Sequence, residues 1–296
     1  MSNNSVHLKM IPPKIIECPR DAMQGIRFFI PTAAKVSYLQ FLLQVGFHSL
    51  DFGSFVSPKE VPQMRDTAHV LDQLDLSKTK TKLLAIVANL RGLDTALCFQ
   101  QIEYIGFPFS ISENFQMRNT HKTISESLHI IEKIKALTCK SNKTLVVYLS
   151  MGFGNPYGDP WSADIVLQWV NRLAHLGIEI ISLSDTIGQA VPADISYLYS
   201  TLIPTFPAIE FGAHFHTQPN RGYEKITAAF DSGCRRFDGA ILGIGGCPMA
   251  GNALVGNFPT EKLLTFFTLR NIKTGIDITA FESAINKSHD LFSSYT

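Results

Sequence analysis

Lys82-Leu83-Leu84-Ala85-Ile86-Val87-Ala88 is a strand-length run with no polar face. A strand with one wet side alternates apolar and polar residues, whereas a strand covered on both sides reads as nearly continuous aliphatic sequence. The run therefore predicts a strand buried in a parallel sheet. Asn89 and a helical segment over about 91–101 follow it directly, as a crossover to a parallel neighbour requires.

The same alternation recurs on both sides. Towards the N-terminus, 14–18 and 48–52 are strand-like, the first stopping at Pro19-Arg20-Asp21. A helix carrying Val36, Leu39, Leu43 and Phe47 near one face is expected after Thr32, its plausible cap, and another over about 61–74. Towards the C-terminus, strands are expected over 104–109, 144–149, 179–183, 208–216 and 236–241. Thr123 and Glu126 form a Thr-x-x-Glu capping box ahead of a stripe of Ile124, Leu128, Ile131, Ile134 and Leu137. Asp159-Pro160 reads as cap and first residue of a helix burying Trp161, Ile165, Trp169 and Leu173. Further helices are expected over about 192–202, 223–232 and 260–269, with a last one over 278–292.

Eight strand–helix units in 296 residues close most naturally as an α/β (β/α)8 TIM barrel. No linker or composition break interrupts them, so one domain is expected, with a barrel over about 14–270 and a short C-terminal helical extension over about 277–294. A doubly wound open sheet is the alternative, weakened because no GxGxxG follows an early strand.

Composition narrows the partners. With 26 basic and 25 acidic residues there is no electrostatic footprint for nucleic acid or an anionic membrane. The apolar runs are too short to span a bilayer, and residues 1–14 resemble neither a signal peptide nor a transit peptide, so a cytoplasmic protein is expected. Cys18, Cys98, Cys139, Cys234 and Cys247 lack CxxC spacing and read as free thiols in a reducing compartment.

Polar residues that interrupt the pattern fall after the strands. Arg20 and Asp21 follow the first, Asp51 and Ser54 the second, Asn89 the third, Ser182 and Asp185 the sixth, His214 and His216 the seventh, and Cys247 the eighth. In a barrel these positions gather at the C-terminal mouth, where active sites of this fold are built. Each aspartate taken singly is explained as a turn or cap residue. The repetition around the ring is the signal.

His214 and His216 stand at i and i+2 on a strand, so both imidazoles share a face and form a ready pair of ligands for a divalent cation. Asp21 adds a carboxylate, and an amide such as Asn257 another oxygen. This mixed set suits Mg²⁺ or Mn²⁺ better than a structural zinc. Arg20 supplies fixed positive charge for a developing enolate, and Cys247 in Gly245-Gly246-Cys247-Pro248 can give or take a proton.

The chain resembles the 3-hydroxy-3-methylglutaryl-CoA lyases and their relatives among the metal-dependent lyase barrels. The resemblance rests on Pro19-Arg20-Asp21-Ala22-Met23-Gln24, Ser54-Phe55-Val56-Ser57-Pro58-Lys59, Val61-Pro62-Gln63-Met64, Asn89, Ser184-Asp185-Thr186-Ile187-Gly188, His214-Phe215-His216 and Gly245-Gly246-Cys247-Pro248 with Gly256-Asn257. It implies a retro-Claisen cleavage of an acyl-CoA to acetyl-CoA and acetoacetate, with a divalent metal on Asp21, His214, His216 and Asn257. Arg20 would stabilise the thioester enolate, Cys247 would protonate the departing acetyl-CoA carbanion, and Asp21 or a histidine would be the base. Gln24, Ser54, Asn89, Ser182 and Asp185 are expected to contact substrate, and a homodimer is implied.

Asp51 stands where the family usually has a catalytic glutamate, Thr217 where an aspartate often follows the histidines, and Ala22 where glycine is usual. The Cys247 to Asn257 spacing is one residue longer than in the animal enzymes. No metal ligand is lost, so activity is expected with a wider choice of acyl-CoA. An aldolase or Claisen-type synthase acting on hydroxy-oxo acids is the enzymatic alternative. A barrel that binds acyl-CoA without turning it over is the other.

Overall fold

The computed structural model describes residues 11–218, 222–246 and 255–295. Eight parallel strands close into a barrel in sequence order: β1 (Lys14–Glu17), β2 (Ser49–Ser54), β3 (Lys82–Ile86), β4 (Ile102–Ser110), β5 (Thr144–Ser150), β6 (Ile180–Asp185), β7 (Glu210–Phe215) and β8 (Arg236–Gly239). β8 closes onto β1 through the Lys14–Arg236 and Glu17–Gly239 registers.

Two separate apolar clusters explain why the strands lack alternation. Leu83, Ala85, Ile105, Phe107, Leu145, Val147, Ile181, Leu183, Phe211 and Phe237 face outward into the continuous core beneath the helices. The residues between them, Leu84, Ile86, Tyr104, Val146, Tyr148 and Ile180, form a second cluster inside the barrel. Both faces of each strand are thus buried, one by helices and one by the opposite wall. Polar side chains of β2, β6, β7 and β8 share that interior with Ile16 of β1.

The helical layer comprises α1 (Pro19–Gln24), α2 (Thr32–Leu42), α3 (Thr67–Asp72), α4 (Leu90–Leu97), α5 (Glu113–Thr120), α6 (Ile124–Lys140), α7 (Ala163–His175), α8 (Pro192–Thr205), α9 (Tyr223–Asp231), α10 (Thr260–Leu269) and α11 (Ile278–Tyr295). Among the described residues no helix is long and apolar enough to cross a membrane. The expected capping box of α6 is present in both directions, with Glu126 N donating to Thr123 Oγ1 and Thr123 N to Glu126.

Several local expectations are corrected. Thr32 is the first helical residue after the cap Pro31, and its hydroxyl donates instead to Asp66 at 2.7 Å. The segment over 61–74 splits into a short 3₁₀ turn, Pro62–Met64, and α3. Asp159 does not cap α7: Ser162 does, accepting from Ile165 N, while Asp159 accepts from the Ser112 hydroxyl and from Asn114 N. Trp161 precedes the helix, its indole N–H donating to Gly152 O at 3.0 Å. Two short helices, α1 and α5, have no counterpart in the sequence reading; neither has the length for a 3.6-residue period to show.

The C-terminal helix α11 covers α2. Tyr38 meets Phe292 and Phe47 meets Phe281 edge to face, at 5.8 and 6.3 Å between ring centroids, and Ser288 Oγ donates to Tyr38 OH.

Glu17 ties β1 to the end of β8 and to α10, accepting from Ile241 N at 2.8 Å and Thr260 Oγ1 at 2.6 Å. Complete burial pushes its carboxyl up to about 8, against the pull of those two donors. The native chain therefore binds this proton more tightly than the unfolded chain, whose carboxyl sits near 4.5. This contribution to stability is full below about 4.5 and drains away as the pH rises towards about 8. Glu17→Gln is expected to flatten that part of the stability–pH curve, as read from urea unfolding across the window. Parallel curves for parent and variant would show the carboxyl already ionised at neutral pH.

Candidate active site at the C-terminal mouth

Short α1 begins directly after β1 and folds Arg20 and Asp21 back over the barrel opening; Gln24 lies one turn on, on the same face. Arg20 binds Asp51 through Nε at 3.0 Å and Nη2 at 2.5 Å, and its Nη1 donates to Asp21 Oδ1 at 3.0 Å and Gln24 Oε1 at 2.9 Å. Gln24 Nε2 returns to Asp21 Oδ1 at 2.5 Å. Burial works against the Arg20 charge, but Asp51 and Asp21 hold its pKa above the ordinary value. Burial also pushes the Asp51 carboxyl up, to about 6, with Arg20 pulling the other way, so it remains a carboxylate at neutral pH.

Asp21, His214 and His216 are all buried, and each offers a ligand atom within 4.8 Å of the others. The two imidazoles stand edge to face, 5.1 Å between centroids. His214 Nδ1 faces Asp238 Oδ2 at 3.0 Å, leaving Nε2 free to face the mouth. Burial lowers the His214 pKa, but the hydrogen bond and charge of Asp238 outweigh it and the net shift is upward. His216 is driven down to about 4 by burial and by His214, so it is a neutral imidazole, the form that binds metal. Burial raises Asp21, yet Arg20, the histidines and Asn257 more than offset it and keep the carboxyl below its usual value. Asn257 lies against this group, Nδ2 donating to Asp21 Oδ2 at 2.6 Å.

These residues fit a divalent cation: an ionised carboxylate, two imidazoles with outward-turned nitrogens, and His216 Nδ1 buried with no hydrogen-bond partner among the described residues. A second possible grouping, Cys18 with His214 and Asp238, fits poorly. It uses the face where Asp238 already occupies His214, and burial drives the Cys18 thiol well above its ordinary value.

Above the triad opens a cavity of about 310 Å³, walled by Arg20, Asp21, Gln24, Ser54, Asn89, Tyr148, Ser150, Ser184, Thr186, His214 and His216, with Glu60, His121 and Lys122 at its rim. Gln24, Ser54 and Asn89 therefore stand where contacts to a substrate were expected. Asn89 also caps α4, accepting from Gly92 N at 2.8 Å. A register shift in β2 between Asp51 and Gly53 explains how Asp51 and Ser54, three residues apart, both turn inward.

Three other expected site residues lie elsewhere. Asp51 is fully buried beneath Arg20 and does not line the cavity. Ser182 sits one rung below the mouth, and Ser184 takes the wall position. Asp185 is consumed by structure, accepting from Gln189 N, Ala190 N and Lys225 Nζ, the last at 2.6 Å. Lys225 also donates to His216 O, which ties α9 to the end of β7. Cys247 lies outside the described residues. Gly246, just before it, accepts from Gln24 Nε2 at 3.4 Å, and a Cβ at Gly245 (φ +106°) would come within 2.6 Å of Asn257 Nδ2 and Asp21 O.

Asp238 and Tyr148 were missed by sequence reasoning. Asp238 carries a readable signal: Arg236-Phe237-Asp238 has polar residues at i and i+2 on a buried strand, beside a strand with histidines in the same phase. Tyr148, whose ring meets His214 at 5.4 Å, hides in an unbroken apolar run.

Comparison with known proteins bears on this architecture. The HMGL-like family model matches residues 14–287. The chain is 35% identical to the hydroxymethylglutaryl-CoA lyase YngG of Bacillus subtilis over 90% of this chain and 88% of that one. It is 30% identical to the (R)-citramalyl-CoA lyase of Chloroflexus aurantiacus, over 90% and 86%. Among solved structures, an HMG-CoA lyase from Acenitobacter baumannii in complex with coenzyme A and 3-methylmalate superposes with a TM-score of 0.88 at 28% identity, covering 95% of this chain and 92% of that one. With a closed eight-stranded barrel and this mouth, matched over nearly its whole length, the chain belongs to the HMGL-like family.

Proposed function

We propose that the chain is a divalent-metal-dependent carbon–carbon lyase that cleaves 3-hydroxy-3-methylglutaryl-CoA, or a close 3-hydroxyacyl-CoA, by retro-Claisen chemistry. The observation that carries the reading is the buried Asp21, His214 and His216 group on the wall of a cavity that Arg20 also enters. With Asn257 beside Asp21, the set suits Mg²⁺ or Mn²⁺. Bound there, the ion supplies Lewis-acid polarisation of a substrate oxygen.

The remaining work falls to the chain's own groups. A guanidinium has five N–H donors, and four of Arg20's have protein acceptors: Nε on Asp51, two on Nη1, one on Nη2. The second Nη2 hydrogen has none among the described residues, and it is the donor for the thioester oxygen as negative charge gathers there. Asp51 fixes the plane of the guanidinium, so it acts by positioning Arg20. Of the two candidate bases for the tertiary hydroxyl, His214 has Nδ1 on Asp238 and its other nitrogen turned to the ion, which leaves no lone pair for a proton. A carboxylate keeps lone pairs beyond the one it gives an ion, so Asp21 is the base. Cys247 returns a proton to the acetyl-CoA carbanion.

The substrate itself has two readings, since one relative is a citramalyl-CoA lyase at 30% identity. Steady-state assay with Mg²⁺ or Mn²⁺ against 3-hydroxy-3-methylglutaryl-CoA, citramalyl-CoA and CoA-free hydroxy-oxo acids separates them. Metal-dependent acetyl-CoA release from the first is expected. Cleavage of only the CoA-free acids would move the chain to the aldolases, and metal binding without any turnover would leave an acyl-CoA-binding barrel. Cys247→Ala is expected to keep metal affinity and lose most turnover, roughly 10²-fold or more for a lost general acid; a fully active variant removes the thiol from the mechanism.

A further inference from the structure

One rung beneath the metal-ligand group the barrel interior carries polar atoms with nothing to bind. Tyr148, Ser182, Gly212 and Arg236 are successive register partners across β5, β6, β7 and β8. Two residues further along their strands, Ser184 pairs with His214, and Asp238 reaches His214 Nδ1. Side chains two residues apart on a strand share a face, so the lower rung lies directly under the upper. Tyr148 OH, Ser182 Oγ, all three Arg236 nitrogens and Asp238 Oδ1 are buried with no hydrogen-bond partner among the described residues. Gly212 makes the space: a Cβ there would fall 2.9 Å from Ser182 Oγ and 3.1 Å from Arg236 Cδ, so both side chains crowd over the missing one.

Arg236 is wholly buried, and its nearest carboxylate oxygen, on Glu210, is 3.7 Å away, beyond hydrogen-bond length. A guanidinium with five unmet N–H groups, two hydroxyls and an unmet carboxylate oxygen on neighbouring strands form a dry arrangement only at several kcal/mol, about 1–3 for each unsatisfied group. Buried water normally satisfies such groups, making two to four hydrogen bonds.

We propose that this rung holds ordered water that links Arg236, Tyr148 and Ser182 to the free oxygen of Asp238, and that Arg236 is thereby a positioning residue for His214. The water holds Asp238 Oδ1, which keeps Oδ2 on His214 Nδ1 and aims Nε2 at the mouth. The positioning role rests on the metal reading above; the water does not.

A high-resolution crystal structure of the metal-free chain and Mn²⁺ titration of variants test both halves. Density is expected for at least one water within hydrogen-bond distance of Asp238 Oδ1 and an Arg236 nitrogen. A rung without ordered solvent, or those nitrogens turned onto protein acceptors, overturns the proposal. Arg236→Met keeps the stem and removes the donors, and is expected to weaken Mn²⁺ binding roughly 10-fold or more, with Arg236→Lys recovering part of it. Mn²⁺ binding by Arg236→Met within about twofold of the parent ends the positioning role. If Arg236→Met does not fold, Ser182→Ala replaces it: one donor is lost, affinity is expected to fall about threefold, and unchanged affinity counts against the proposal in the same way. A parent chain that takes up no Mn²⁺ sinks the metal reading, and the solvent density alone then decides the rung.

Discussion

His214→Ala is expected to abolish tight divalent-metal binding, with Mn²⁺ affinity falling at least about 100-fold, the upper end of what loss of an outer-shell partner alone costs. The side chain has two roles at once. Its outward nitrogen completes the group with Asp21 and His216, and its Nδ1 is the partner of Asp238, which is only 3% exposed. Truncation therefore removes a donor and leaves a buried carboxylate oxygen unpaired, which adds a stability loss of about 1–3 kcal/mol. Thermal unfolding of the metal-free variant separates the two effects. A folded variant that has lost Mn²⁺ by calorimetry is the expected outcome, while one that binds within about threefold of the parent means that His214 is not a ligand. Asp238→Asn is the graded companion: it keeps a hydrogen-bond acceptor for Nδ1–H but no charge, so its loss of affinity should be smaller.

This site was legible in the sequence to the extent that strand phase is legible. His214 and His216 lie in phase on a buried strand, and counting strands was enough to place them with Asp21 at one end of a barrel. Phase failed where the backbone breaks it. A period of two puts Asp51 and Gly53 on one face and Ser54 on the other, but the bulge at that point turns Asp51 and Ser54 inward together. Height along the barrel axis failed as well. Ser182 and Ser184 share a face and differ by one rung, and composition does not say which is level with the mouth. Asp185 ends a strand, as a site residue would, but a buried aspartate at a strand end is equally at home pinning a loop, and its partner Lys225 comes from a helix 40 residues away. Short α1, which carries Arg20 and Asp21, has too few residues for periodicity to reveal. Its chemistry could be read but its shape could not.

Arg20→Met is expected to lower kcat by about 10²- to 10³-fold, the cost of one preorganised donor to a developing oxyanion, when measured at saturating Mn²⁺, since Arg20 also donates to the ligand Asp21 at 3.0 Å. The same change also removes the partner of Asp51, which lies fully buried and receives Arg20 Nε and Nη2 together. Breaking a buried pair by deleting one member costs about 3–5 kcal/mol, because the remaining charge is left without compensation. Low activity in Arg20→Met alone would therefore be ambiguous between lost chemistry and lost structure. The double variant Arg20→Met, Asp51→Leu resolves it, since it removes the stranded carboxylate with the cation and should recover most of the stability. If Arg20 supplies the thioester-oxygen donor, the double variant is stable, takes up Mn²⁺ and remains as slow as the single one. Recovery of kcat alongside stability would show that Arg20 serves only to hold α1 against β2. Arg20→Lys sharpens the assignment further: a lysine keeps the charge but not the planar fork, so it cannot bind Asp51 twice and still present a donor to the cavity. Its expected profile is partial stability and a kcat still well below the parent's, with KM little changed, the split that marks an interaction made in the transition state rather than in substrate binding.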